Sequence, residues 1–120
     1  MSTTEQPMHT ALPSSNELLE FFEIEPTERR PEDGYVEFDV HAPDGTHLTF
    51  SVDAFERSVQ TTISLRGAVV ARVCHEGAIS CVLDRDTLRA SFDAKDFRTT
   101  LVLQLRPQIS VSWASLAVFS

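Results

Sequence analysis

Three sets of side chains in this sequence have types that could do chemistry. His41 and His47 flank Pro43-Asp44-Gly45. If that tripeptide is a hairpin loop, the two imidazoles lie directly across from each other. Glu37 and Asp39 then share their face, and these are donor types that bind zinc or another transition metal. Nothing in the pattern fixes an outer shell of hydrogen bonds for such a site. The plainer expectation is a pair of exposed polar rings beside a turn, with no metal and no cofactor. Cys74 and Cys81 are the two cysteines, too few for a four-cysteine zinc site or a disulfide framework. Strand alternation puts Cys81 among inward positions and Cys74 out of phase with Val73, so the thiols point to opposite faces and cannot bridge. His75, Ser80 and Asp84 have the residue types of a nucleophile triad. On one short hairpin, however, they spread along a surface, where a base must sit within hydrogen-bond reach of its nucleophile.

Other chemistries find no support. The four glycines form no phosphate-cradling loop, and there is no P-loop, dinucleotide fingerprint or Gly-x-Ser-x-Gly elbow. Carboxylate pairs abound (Glu37/Asp39, Asp84/Asp86, Glu32/Asp33), so pairing alone discriminates nothing. Basic residues are few and not interleaved with aromatics, which disfavours direct nucleic-acid binding. The expectation is a protein that is not an enzyme.

Behind these residues stand the elements that must position them. A chain of 120 residues is the length of one domain. Residues 1–13 are polar, contain two prolines and read as a flexible N-terminal tail; residues 14–120 read as a single domain. Ser14-Ser15-Asn16-Glu17 is a capping box, followed by Leu18, Leu19 and Phe22 at helical spacing with Glu17, Glu20 and Glu23 toward solvent. Pro26 closes the helix. Thr27 to Gly34 reads as a charged loop. Val36, Phe38 and Val40 then alternate with polar residues, and a three-residue loop at Pro43-Asp44-Gly45 pairs Val40 with Leu48 and Phe38 with Phe50. A single helical turn is expected at Asp53–Arg57. Further inward sets are Val59/Thr61/Ile63/Leu65, Val69/Ala71/Val73 and Ile79/Cys81/Leu83, the last opposite Leu88/Ala90/Phe92 across the four-residue turn 84–87. A turn is expected at His75–Ala78. Leu101/Leu103/Leu105 face Ile109/Val111/Trp113 across Arg106-Pro107-Gln108. The fold class is α+β: a curved antiparallel meander of about six to eight strands with one N-terminal helix packed on it.

Charge supplies the functional lead. The formal charge is −8. Residues 1–60 hold thirteen acids against three arginines, a net of −10, while residues 61–120 hold five acids against seven bases, a net of +2. Glu20, Glu23, Glu25, Glu28, Glu32, Asp33, Glu37 and Asp39 run from the helix through the loop into the first strand. Brought together, they make a surface suited to a basic protein partner, since charge complementarity speeds encounter and sharpens specificity. No apolar run reaches the length of a membrane helix, and no secretory signal opens the chain, so a cytoplasmic, non-membrane setting is expected.

In size, acidity and lack of catalytic motifs, residues 14–120 resemble the immunity proteins of bacterial contact-dependent growth inhibition and related polymorphic toxin systems. The resemblance implies a cytosolic inhibitor that neutralises a cognate toxin domain, often a basic nuclease, by stoichiometric binding. Two other classes compete with it. A small-ligand module would enclose a pocket around Phe38, Phe50 and Trp113. A type III secretion-type chaperone would end in a helix, whereas Ile109 to Phe119 reads as strand.

Overall fold

The computed structural model describes residues 12–94 and 96–117. The expected tail therefore lies, through residue 11, outside the described residues. Among the described residues the order is one α-helix, α1 (Ser15–Phe22), then nine strands: β1 (Glu28–Arg30), β2 (Tyr35–His41), β3 (Thr46–Asp53), β4 (Ser58–Leu65), β5 (Ala68–His75), β6 (Ala78–Asp84), β7 (Thr87–Ala94), β8 (Phe97–Gln104) and β9 (Ser110–Ala117), with a single 3-10 turn at Pro31–Asp33 joining β1 to β2. The strands form two antiparallel sheets, each in chain order: β1 to β5, which we call sheet A, and β6 to β9, sheet B. The helix and antiparallel meander agree with the α+β expectation. The ninth strand is β1, a three-residue piece inside the segment read as a loop.

α1 forms where the capping box places it. Ser14 Oγ accepts from the Glu17 amide at 3.2 Å, and Glu17 Oε1 accepts from the Ser14 amide at 2.8 Å. The helix ends at Phe22, four residues before Pro26 and so not closed by it as expected, because Glu23 adopts the left-handed conformation (φ 61°) while its amide still bonds to the Leu19 carbonyl. Leu18, Phe21 and Phe22 are buried. Phe22 stacks on Phe38 with ring centroids 4.6 Å apart and tilts against Phe50 at 5.4 Å. Leu88, Ala90, Phe92, Leu101 and Leu103 of sheet B join the same core. A helix of eight residues is not stable alone; these aromatic contacts hold it.

The β2–β3 register matches the expectation, with Val40 opposite Leu48, Phe38 opposite Phe50 and His41 opposite His47. Gly45 takes φ 94°, and the Ala42 amide donates to the Thr46 carbonyl. The β8–β9 register also matches, with Leu101 opposite Trp113 and Leu103 opposite Val111.

Four local expectations need correction. Asp53–Arg57 is a turn rather than a helical one: Asp53 Oδ1 accepts from the amides of Phe55 and Glu56, closing the backbone on itself. His75 and Ala78 belong to strands, leaving only Glu76 and Gly77 between the sheets. Asp84 and Thr87 pair in the ladder, so the β6–β7 connection is the two residues Arg85 and Asp86. Register shifts at Ile63/Ser64 and Ala78/Ser80 break the alternation. Val69 and Ile79 consequently stand out at 53% and 41% exposure, while Ala78 is buried in the place read for Ile79.

Candidate functional site

The eight acidic residues fall into two neighbourhoods. Glu20, Glu23 and Glu25 lie at the exposed end of α1, where they line a shallow hollow with Leu19 and Ile24. Leu19 packs partly against the core and Ile24 is 37% exposed, so the hollow has an apolar floor and an acidic rim. Arg106 ties this end to sheet B: its Nη2 donates to the Phe21 carbonyl at 3.1 Å and stands 4.0 Å from Glu23, while its Nε donates to Asp86 at 2.7 Å. Among the described residues, Glu20 and Glu25 have no salt-bridge partner.

The other neighbourhood is the outward face of β1 and β2, with the connecting turn. Glu28 lies opposite Glu37, and Arg30 opposite Tyr35. Arg30 pairs with Glu28, lies 3.5 Å from Asp33 and covers the Tyr35 ring at 4.3 Å. The Tyr35 hydroxyl donates to Glu37 Oε1 at 2.7 Å; burial, helped by that bond, raises the phenol above its ordinary range. Thr27 Oγ1 donates to the other Glu37 oxygen at 3.3 Å. Glu37 and Asp39 are half-buried, while Glu28, Glu32 and Asp33 are exposed. Four of the five carboxylates of this second set are thus already engaged within the chain, Asp39 through Thr49. The carboxylates left freest for a partner are Glu20, Glu25 and Glu32.

The His41 and His47 rings stack face to face, with centroids 4.0 Å apart and planes 17° from parallel. Ring-nitrogen lone pairs lie in the ring planes, so stacked imidazoles do not converge on one ion. Asp39 accepts from Thr49 Oγ1 at 2.8 Å, and His47 Nε2 stands 3.5 Å from the same oxygen, too far for a good hydrogen bond. No group of three or more metal-ligating side chains occurs among the described residues.

The thiols are separate and free, Cys74 exposed and Cys81 half-buried against the core. Burial, with Glu17 nearby, pushes the Cys81 thiol up to about 12, so it is no nucleophile near neutral pH. His75, expected on a surface turn, instead closes β5 facing inward. Its ring stacks on Phe92 at 4.9 Å and on Trp113 at 6.5 Å, and its Nδ1 has no hydrogen-bond partner. Burial alone lowers its pKa. Ser80 and Asp84 are exposed on β6.

Sequence reasoning missed Phe55, 69% exposed on the β3–β4 turn with its ring against Gly34. It also missed the apolar strip of Val69 and Val70 on β5. The turn chemistry of Asp53 could have indicated the first; a bulge has no signature in a single sequence.

No family model matches the chain, and no curated protein does. Among solved structures, it is similar to a chain of the contact-dependent growth inhibition toxin–immunity protein complex from Klebsiella pneumoniae 342. The TM-score is 0.76 at 23% identity, covering 87% of this chain and 95% of that one. This likeness establishes a shared fold.

Proposed function

We propose that this chain is the immunity member of a toxin–immunity pair, acting in the cytoplasm of a bacterium. It neutralises a cognate toxin domain by forming a stoichiometric complex. The observation that carries the reading is the fold shared over 87% of the chain with a component of a toxin–immunity complex. Charge favours the immunity role over the toxin role. A chain of net −8 is repelled by nucleic acid but attracted to the lysines and arginines of a protein that binds it.

The binding surface in this reading is the acidic set Glu20, Glu23, Glu25, Glu28, Glu32, Asp33, Glu37 and Asp39. The hollow at the end of α1 accepts the aliphatic stem of a toxin lysine or arginine on Leu19 and Ile24, with its charged head toward Glu20 and Glu25. The partner's basic surface, a nuclease face in the sharpest form of the proposal, is thereby covered. The mechanism is occlusion and needs no reaction, cofactor or metal.

Calorimetric titration with the C-terminal domain of any secreted toxin whose gene adjoins that of this chain tests the reading. A one-to-one complex that abolishes toxin activity is expected; no binding at micromolar concentrations overturns it. A complex formed equally well by a Glu20→Lys/Glu25→Lys variant removes the assignment of the surface and leaves the pairing intact.

A further inference from the structure

β5 is the last strand of sheet A, so its outer flank has no strand against it among the described residues. Such an edge is a template for another strand, and proteins commonly blunt it with lysine, proline or a bulge. Here the bulge disturbs only the Val69–Val70 end. From Ala71 to His75 the ladder is regular and carries neither lysine nor proline.

The charges around this edge differ from those of the rest of the chain. Between Ser58 and His75 the β4–β5 hairpin holds Arg66 and Arg72 and no acid at all. The acidic strand β2 lies three strand spacings away, about 14 Å. A basic partner is therefore disfavoured at β5, while two copies of an otherwise acidic chain can approach each other there.

The pattern along the edge is self-complementary. Arg72 and Cys74 are exposed at alternate positions of β5, and Glu76, exposed just beyond its end, continues the spacing. Opposite charges thus stand at equal distances on either side of Cys74. When a strand pairs antiparallel with its own copy about a two-fold axis, residues equidistant from the axis face each other. An axis at Cys74 sets each Arg72 opposite the other copy's Glu76.

We propose that the β5 edge joins two copies of this chain into a symmetric dimer, with antiparallel strands centred on Cys74 and two reciprocal Arg72–Glu76 ion pairs fixing the register. The dimer leaves the α1 and β1–β2 acidic surfaces free, and it stands whether or not a toxin is the partner of those surfaces.

Sedimentation equilibrium of the reduced chain, up to about 200 µM, reads the association in the micromolar range. The expected species has twice the 13.4 kDa chain mass. Arg72→Glu and Glu76→Arg each place like charges opposite one another, and each is expected to weaken self-association by about tenfold or more. The Arg72→Glu/Glu76→Arg double variant exchanges the charges and is expected to restore the wild-type constant to within about threefold. Both side chains are exposed, and circular dichroism verifies that each variant is folded. A monomeric wild type at the highest concentration overturns the proposal. So does a double variant no better than the singles. If the wild type is monomeric while Arg72→Glu abolishes binding of the toxin domain, the edge belongs to that partner and the dimer is refuted.

Discussion

Glu23 serves two ends that pull against each other. It closes α1 in the left-handed region, where a side chain with a Cβ is disfavoured, and it supplies one wall of the acidic hollow. Glu23→Gly relieves the backbone and removes the charge. The expected outcome is a gain of roughly 1 kcal/mol in urea-unfolding stability, together with weaker toxin binding; a loss of stability would contradict the backbone argument. The thiols give a second test at this scale. With Cys81 pushed up to about 12 and half-buried, Ellman's reagent at pH 8 and low micromolar protein should titrate one thiol in the native chain, Cys74. In guanidinium it should titrate both. His75 gives a third. Its folded pKa lies below the ordinary 6.5 because of burial, so the unfolded chain takes up the proton first. Its contribution is full above about pH 6.5 and is lost as the pH falls from there toward the lowered folded value. His75→Phe keeps the stacking on Phe92 and removes the titration. The melting temperature of the wild type should therefore fall more between pH 7 and pH 5 than that of the variant.

At the scale of elements, α1 is held to sheet A chiefly by Phe22, whose ring lies on both Phe38 and Phe50. Phe22→Ala should lower unfolding stability by about 3–5 kcal/mol, read from the denaturation midpoint. Ser14→Ala, which removes only the cap, should cost about 1 kcal/mol. The difference between the two measures how far packing outweighs capping in an eight-residue helix. The same elements show what the sequence could disclose. The capping box, the Pro43-Asp44-Gly45 loop and the Leu101/Trp113 register were legible, because each rests on chemistry local to a few residues. The bulges at Ile63/Ser64 and Ala78/Ser80 were not legible, since a single extra residue leaves the apolar count of a strand unchanged while turning Val69 and Ile79 outward. β1 was hidden for another reason: Glu28-Arg29-Arg30 is exposed at every position and has no apolar face to alternate. The acidic residues of the candidate site were visible as a run. Their division into two neighbourhoods was not, because pairing Glu28 with Glu37 across β1–β2 is a tertiary fact.

For the whole molecule, the uneven charge sets a kinetic expectation. An acidic half of net −10 beside a half of net +2 makes an electric dipole as well as a net charge. In the proposed complex it would orient the chain as it approaches a basic toxin. Raising salt from about 50 to 500 mM should slow association by about tenfold or more while changing dissociation far less, as stopped-flow mixing would show. An unchanged association rate would mean that the acidic surface does not face the toxin. The fold likeness and the charge thus make separate claims, one on architecture and one on encounter, and this measurement isolates the second.

Strand order follows chain order in both sheets, and only Glu76 and Gly77 join them. Every ladder is therefore a neighbour-to-neighbour hairpin that can zip without closing a long loop. Among the contacts most distant in sequence is the one that ties α1 to the end of sheet B, from Arg106 to the Phe21 carbonyl. Loop closure raises the folding barrier for such distant contacts. The hairpins can thus form early, leaving the union of the two sheets in their shared core as the slow event. In the proposed immunity role, where an inhibitor must be ready before its toxin arrives, a topology that leaves so little of its assembly to distant encounters would be an advantage.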